Sequence, residues 1–215
     1  MTRRIEAFSE FVRAQLPAPP VRVLEVGCGK GELARALASQ GYDVTAIDPA
    51  APPGPIFQRV GLEDFSDTHG FAGVVASVAL HHIADLAGAL DKIVSFLPAR
   101  GVLVLEEFAK ERLSGATARW YYDQRRSLAE AGHAEAVVSE DFEQWEQESE
   151  AARAAVHPVS AIRAELESRF AERFFEWTPY LYSYRLDDVL EPLERRLISE
   201  GAIDATGLWY VGERS

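Results

Sequence analysis

A single cysteine, Cys28, stands among 215 residues, which excludes an intramolecular disulfide and leaves a thiolate metal centre without ligands. The histidines and carboxylates show no short spacing of the kind that closes a metal site, so no metal is expected. No apolar run reaches the ~20 residues that a membrane-spanning helix needs. The opening stretch MTRRIEAFSEF has two arginines but no apolar core, so an export signal is not expected and the cytoplasm is the expected compartment. Positive charge is scarce: 22 Lys and Arg face 34 Asp and Glu, for a net charge of −12. A chain so acidic repels phosphate backbones, and no Lys/Arg-rich run offsets this, which argues against nucleic acid as a substrate. Internal repeats and a disordered tail are missing as well, so one domain with a substantial core is expected over 1–215.

What is there is concentrated in residues 21–48, VRVLEVGCGKGELARALASQGYDVTAID. Val21–Val26 reads as a strand buried on both faces. Gly27, Gly29 and Gly31 follow at once. Leu33, Ala34, Leu37 and Ala38 then recur at helical spacing until Gly41 stops the helix. Val44–Ile47 reads as a second strand, closed by Asp48. In such a unit glycines let the backbone approach a ligand, and free N–H groups at the helix start face it. Asp48, at the strand tip, is placed to accept from two ribose hydroxyls. The dinucleotide fingerprint G-x-G-x-x-G is not met, because Gly31 comes one residue early and Glu32 holds the expected place. A nicotinamide-dependent reductase is therefore disfavoured.

The pattern Glu25-x-Gly27-x-Gly29-x-Gly31, with Asp48 closing the next strand, resembles the first motif of class I S-adenosylmethionine (SAM) methyltransferases of the small-molecule type. The resemblance covers residues 21–108 and, more loosely, the last segment. It implies a Rossmann-like, doubly wound α/β fold with a mostly parallel seven-stranded sheet whose final strand runs antiparallel. It also implies SAM as cofactor and S-adenosylhomocysteine (SAH) as product. The implied cofactor residues are Glu25, Gly27, Cys28, Gly29 and Gly31 at the glycine loop, with Asp48 and Pro49 beyond the second strand. Gly61-Leu62-Glu63-Asp64-Phe65 resembles the family segment that closes over the adenine, with Leu62 offering its N–H and Glu63 or Asp64 accepting from the exocyclic amine. Residues 71–80 read as a buried strand, and Ser77 and Val78, at its carboxyl end, offer carbonyls to the ammonium group. The family's asparagine-proline motif for nucleobase amines is missing where Ser77-Val78-Ala79-Leu80 stand, in agreement with the charge. The acceptor is thus expected to be a small molecule. A protein of the same fold that binds SAM or SAH without transferring methyl is the alternative.

The remaining stretches surround this unit. Residues 2–16 read as an amphipathic helix with Ile5, Phe8, Val12 and Leu16 on one stripe. Prolines in 49–55 forbid a regular helix there, and Ile56–Val60 is expected as the third strand. His81 and His82 follow the fourth strand, at the ligand edge, and either imidazole suits a general base near neutral pH. His157 is a third candidate, ranked after His82 and His81. Asp85–Leu97 reads as a helix and Val102–Leu105 as the fifth strand, leaving Glu106 and Glu107 at its carboxyl end to steer a substrate amine or hydroxyl. Residues 110–157 lack any strand pattern. Helices opened by Ser114 and Ser139 are expected there, as a lid inserted after the fifth strand, with Trp120, Tyr121, Tyr122 and Trp145 as candidates to line an apolar substrate pocket. Ser160 is expected to cap the next helix. A long strand over 171–185 would place Tyr180, Tyr182 and Tyr184 on one face. A helix over Leu186–Ser199 and a strand over Leu208–Gly212 complete the expectation.

Overall fold

A computed structural model describes residues 2–133 and 138–214. Its strands are β1 (Arg22–Val26), β2 (Asp43–Ile47), β3 (Phe57–Gln58), β4 (Gly73–Ser77), β5 (Val102–Phe108), β6 (Phe170–Thr178) and β7 (Gly207–Arg214). They form one sheet in the order β3-β2-β1-β4-β5-β7-β6. The first five strands pair in parallel, and β7 runs antiparallel to both β5 and β6. The helices are α1 (Arg3–Gln15), α2 (Glu32–Ser39), α3 (Leu86–Phe96), α4 (Gly115–Glu130), α5 (Phe142–Ala154), α6 (Val159–Glu167) and α7 (Glu191–Ser199).

Alternation along the strands splits the core into two layers. Leu24, Val26, Val74, Ala76, Leu103 and Leu105 point to one face and pack under α3 and α6. Val23, Val75, Val104 and Val211 point to the other, under α1 and α2. Helices on both faces leave the central strands no solvated side, which is why they read as unbroken apolar runs. A third cluster, of Phe108, Tyr121, Tyr122, Trp145, Tyr180 and Leu181, joins α4 and α5 to the turn after β6.

Several expected boundaries move. The third strand keeps only Phe57 and Gln58. β5 continues through Glu106 and Glu107, because β7 stays paired beside it, Trp209 opposite Glu106 and Leu208 opposite Glu107. β6 stops at Thr178, so Tyr180, Tyr182 and Tyr184 do not share a strand face. Pro179 brings no N–H to a ladder, and the N–H groups of Tyr180, Leu181 and Tyr182 donate instead to the Glu194 carboxylate at 2.7–3.0 Å, wrapping a 3-10 turn around it. α7 begins at Glu191 after a separate 3-10 turn at Asp188–Leu190. Asp141, not Ser139, caps α5, and Pro158, not Ser160, precedes α6. Ser139 turns its hydroxyl to Glu148. Residues 134–137, within the segment expected as a lid, lie outside the described residues.

Candidate functional site

The strand order reverses direction about β1, whose neighbours are β2 and β4. Open α/β sheets leave a crevice at the carboxyl ends of the strands at such a point. Here that crevice is a cavity of about 1000 Å³. The glycine loop forms its floor. The N–H of Gly27 is tied to the Ile47 carbonyl at 2.9 Å, and a Cβ at this position would stand 2.4 Å from that of Ala79. Gly29 has φ +49° and open space where a side chain would be, and its N–H donates to Asp48 Oδ2 at 3.0 Å. Asp48 Oδ1 accepts from the Ala50 N–H at 2.7 Å. The Asp48 carboxylate thus shapes the loop and still lines the cavity with lone pairs to spare.

Glu25 is 2% exposed, and its Oε2 has no hydrogen-bond partner among the described residues although the residue lines the cavity. Burial pushes its carboxyl up to about 8, the Ala34 N–H opposes this, and the Asp48 charge adds to it. Burial, with Glu25 and Asp48 close by, pushes the Cys28 thiol up to about 12, so it stays protonated. Pro49, Leu62, Glu63, Ser77 and Val78 complete the expected cofactor residues on the cavity wall. Gly31 is the exception. It caps α2 at φ +76° with its back to the Phe57 ring, where a Cβ would approach to 2.4 Å, so it shapes the loop from behind. The donor set suits SAM: an open glycine loop, an unpartnered buried carboxylate for an ammonium group, and an aspartate at the strand tip for hydroxyls.

At Val78 the backbone takes φ +56°, a left-handed conformation costly for a β-branched residue. It is held there by its N–H on the Glu106 carbonyl at 2.7 Å and by the next two N–H groups, of Ala79 and Leu80, on Glu107 Oε1 at 3.2 and 2.7 Å. The chain bends sharply into a 3-10 turn, Leu80–His82. Of the three histidines, His82 lines the cavity. Burial, with His81 and Lys110 nearby, lowers its imidazole pKa against the opposing pull of Glu107, which favours the neutral ring a base requires. His81 is buried, with Nδ1 2.6 Å from Glu107 Oε2, and is not on the cavity wall. His157 also stands off the wall, its Nε2 3.0 Å from the Ile83 carbonyl.

The substrate-pocket residues expected from sequence do not face this cavity. Trp120, Tyr121, Tyr122 and Trp145 belong to the third cluster, because α4 and α5 need an apolar centre of their own. Glu106 is 2% exposed and closed in by Arg4, by the Ser77 hydroxyl at 2.7 Å and by Trp209 Nε1 at 3.4 Å. Arg4 was not anticipated. It extends from α1 to line the cavity, bonding Ser77 Oγ at 3.1 Å and pairing with Glu106. It flanks the apolar stripe of α1 beside Ile5, but Glu106 is 102 positions away, so no local spacing announces the pair. Lys92 was missed too; it lines the far end and donates to the Glu63 carbonyl at 2.5 Å. Among the described residues no group of His, Cys, Asp and Glu could hold a metal ion, and no helix is long and apolar enough to cross a membrane.

Residues 1–166 match a family model described as a methyltransferase domain. A ubiquinone biosynthesis O-methyltransferase of Methylocella silvestris is 27% identical over 170 residues, 67% of this chain and 66% of that protein. The chain thus spans just under two thirds of that relative, and 22% and 60% of two further relatives it matches. Among solved structures, a SAM-dependent methyltransferase from Mesorhizobium loti aligns over 98% of this chain and 100% of its own, at 18% identity and a TM-score of 0.59. The 1,6-didemethyltoxoflavin-N1-methyltransferase of Burkholderia thailandensis, solved with 1,6-didemethyltoxoflavin and SAH, aligns over 99% of this chain and 79% of its own, at 15% identity and a TM-score of 0.59.

Proposed function

The chain belongs to the class I SAM-dependent methyltransferase family, and on that premise we propose that it transfers the methyl group of SAM to a small-molecule acceptor in the cytoplasm, with His82 as the general base. The observation that carries this reading is one cavity in which the glycine loop, Glu25, Asp48 and His82 all meet. Bound there, SAM supplies a methyl group already activated by its sulfonium. The chain's work is then to hold a nucleophile in line and keep water out. Asp48 accepts from the ribose hydroxyls, Gly29 lets the backbone approach, and Leu62 with Glu63 borders the adenine. Glu25, together with the backbone at Ser77 and Val78, receives the ammonium group. Arg4, whose guanidinium is only partly used by Ser77 and Glu106, offers positive charge to the carboxylate of the same methionine end. His82, neutral near pH 7, takes the acceptor's proton.

The small acceptor is supported by the acidity of the chain and by relatives that modify or hold small molecules. The test has two arms. Calorimetry with SAH reads the cofactor site. Transfer of label from methyl-tritiated SAM to a panel of catechols, phenols, aromatic amines and N-heterocycles reads turnover. In the second arm His82→Gln is expected to lower kcat by roughly 10²–10⁴-fold with SAH affinity nearly intact. Tight SAH binding with no transfer to any member of the panel would favour the non-transferring alternative.

A further inference from the structure

We propose that Glu107, buried behind the cavity, is a positioning residue for the His82 imidazole, and that His157 shares this task from the end of the lid. The proposal rests on the reading of His82 as base. Glu107 is 1% exposed and does not reach the cavity wall. Its own backbone is fully used by the β5–β7 ladder, where it sits opposite Leu208. Behind the sheet it shares a small space with Leu105, Val159, Ile162 and Leu166, and with Arg163 and Tyr210, a largely apolar setting in which a carboxylate is costly unless it is hydrogen-bonded. What the carboxylate does is hold the turn before His82. Oε1 accepts from the N–H groups of Ala79 and Leu80, and Oε2 lies 2.6 Å from His81 Nδ1. The His81 ring in turn packs on that of His82, with centroids 4.0 Å apart.

His157 closes the other side. Its N–H donates to the His81 carbonyl at 3.0 Å, and its Nε2 stands at the same distance from the Ile83 carbonyl. A three-residue 3-10 turn that follows the strained Val78 has little stability of its own. Contacts from outside therefore decide where its side chains point, and Glu107 and His157 grip it at both ends. His157 lies three residues beyond α5, so the end of the lid is bonded directly to the turn that carries the base.

The test is nitrogen-detected NMR of protein labelled in its five histidines and saturated with SAH, with the His82 signals assigned by their loss in His82→Gln. The wild type is expected to show His82 as one sharp, single-tautomer pattern at pH 8. Glu107→Gln keeps an oxygen for Ala79 and Leu80 but loses the charge on His81. Its His82 pattern is expected to broaden or average between tautomers while SAH affinity stays within about twofold. His157→Ala is expected to do the same more weakly, and it decides the matter if Glu107→Gln fails to fold. Unchanged His82 signals in both variants, with a slowed His82→Gln, overturn the positioning role alone. His82→Gln transferring methyl at the wild-type rate, to whichever member of the panel the wild type methylates, overturns the base reading and the positioning role with it.

Discussion

Asp48 uses one carboxylate for two purposes: it fixes the glycine loop through Gly29 and Ala50, and it lines the cavity, where the proposed function gives it the ribose hydroxyls. Asp48→Ala should therefore weaken SAH binding by about 1.5–3 kcal/mol, since charge-assisted hydrogen bonds to hydroxyls and to the loop are lost together. Unchanged affinity of the folded variant in calorimetry would remove Asp48 from the site. Glu25 makes a different prediction. With its carboxyl pushed up to about 8, it is mostly neutral at pH 7. An ammonium group brought beside its unpartnered oxygen favours the charged form, so SAM binding at pH 7 should release part of a proton. Calorimetry in buffers of different ionisation enthalpy measures that release, and Glu25→Gln should abolish it. Heats independent of buffer in the wild type would place the ammonium group elsewhere.

At the scale of elements, α4 and α5 have a small core of their own. Trp145 packs against Tyr121, Tyr122 and Phe142, with ring centroids 5.5–5.9 Å away. Truncating a buried tryptophan typically costs about 3–5 kcal/mol. In Trp145→Ala that loss should fall on α4 and α5, whose amides should exchange faster while β1 and β4 keep their protection. SAH affinity should stay within about twofold, because none of these rings lines the cavity. Loss of SAH binding in a variant with an intact sheet would show that the lid core supports the cofactor site. Elements with a regular apolar period, such as α1, β1 and α2, were legible from the sequence to within a residue or two, whereas the strand expected over 71–80 stops at Ser77, where Val78 turns left-handed. The turn at Tyr180–Tyr184 was not, because its shape depends on a carboxylate at Glu194, across the chain from it, rather than on its own alternation.

For the whole molecule, buried carboxylates tie stability to pH. The Glu25 carboxyl rises from an ordinary 4.5 to about 8, so the folded state binds this proton more tightly than the unfolded chain. Its cost is absent below about pH 4.5, grows as pH rises and is complete above about 8. Burial shifts Glu106 and Glu194 in the same direction. Glu25→Gln should therefore match the wild type near pH 4.5 and exceed its stability at pH 9 by on the order of 4 kcal/mol, read from denaturant melts. A difference that does not change with pH would mean that Glu25 is charged throughout. The sequence by itself determined the sheet, the glycine loop and most of the residues that line the cavity beside it, because these rest on local period, glycine conformation and strand ends, which lie within a few residues of one another. Only the tertiary structure decided that His82 rather than His81 faces the cavity, that Glu106 is closed off by Arg4, and that the aromatics of α4 and α5 face one another. Those outcomes depend on partners far apart in the chain, such as Arg4 with Glu106 and His157 with Ile83, and on which groups are left without water once the layers close.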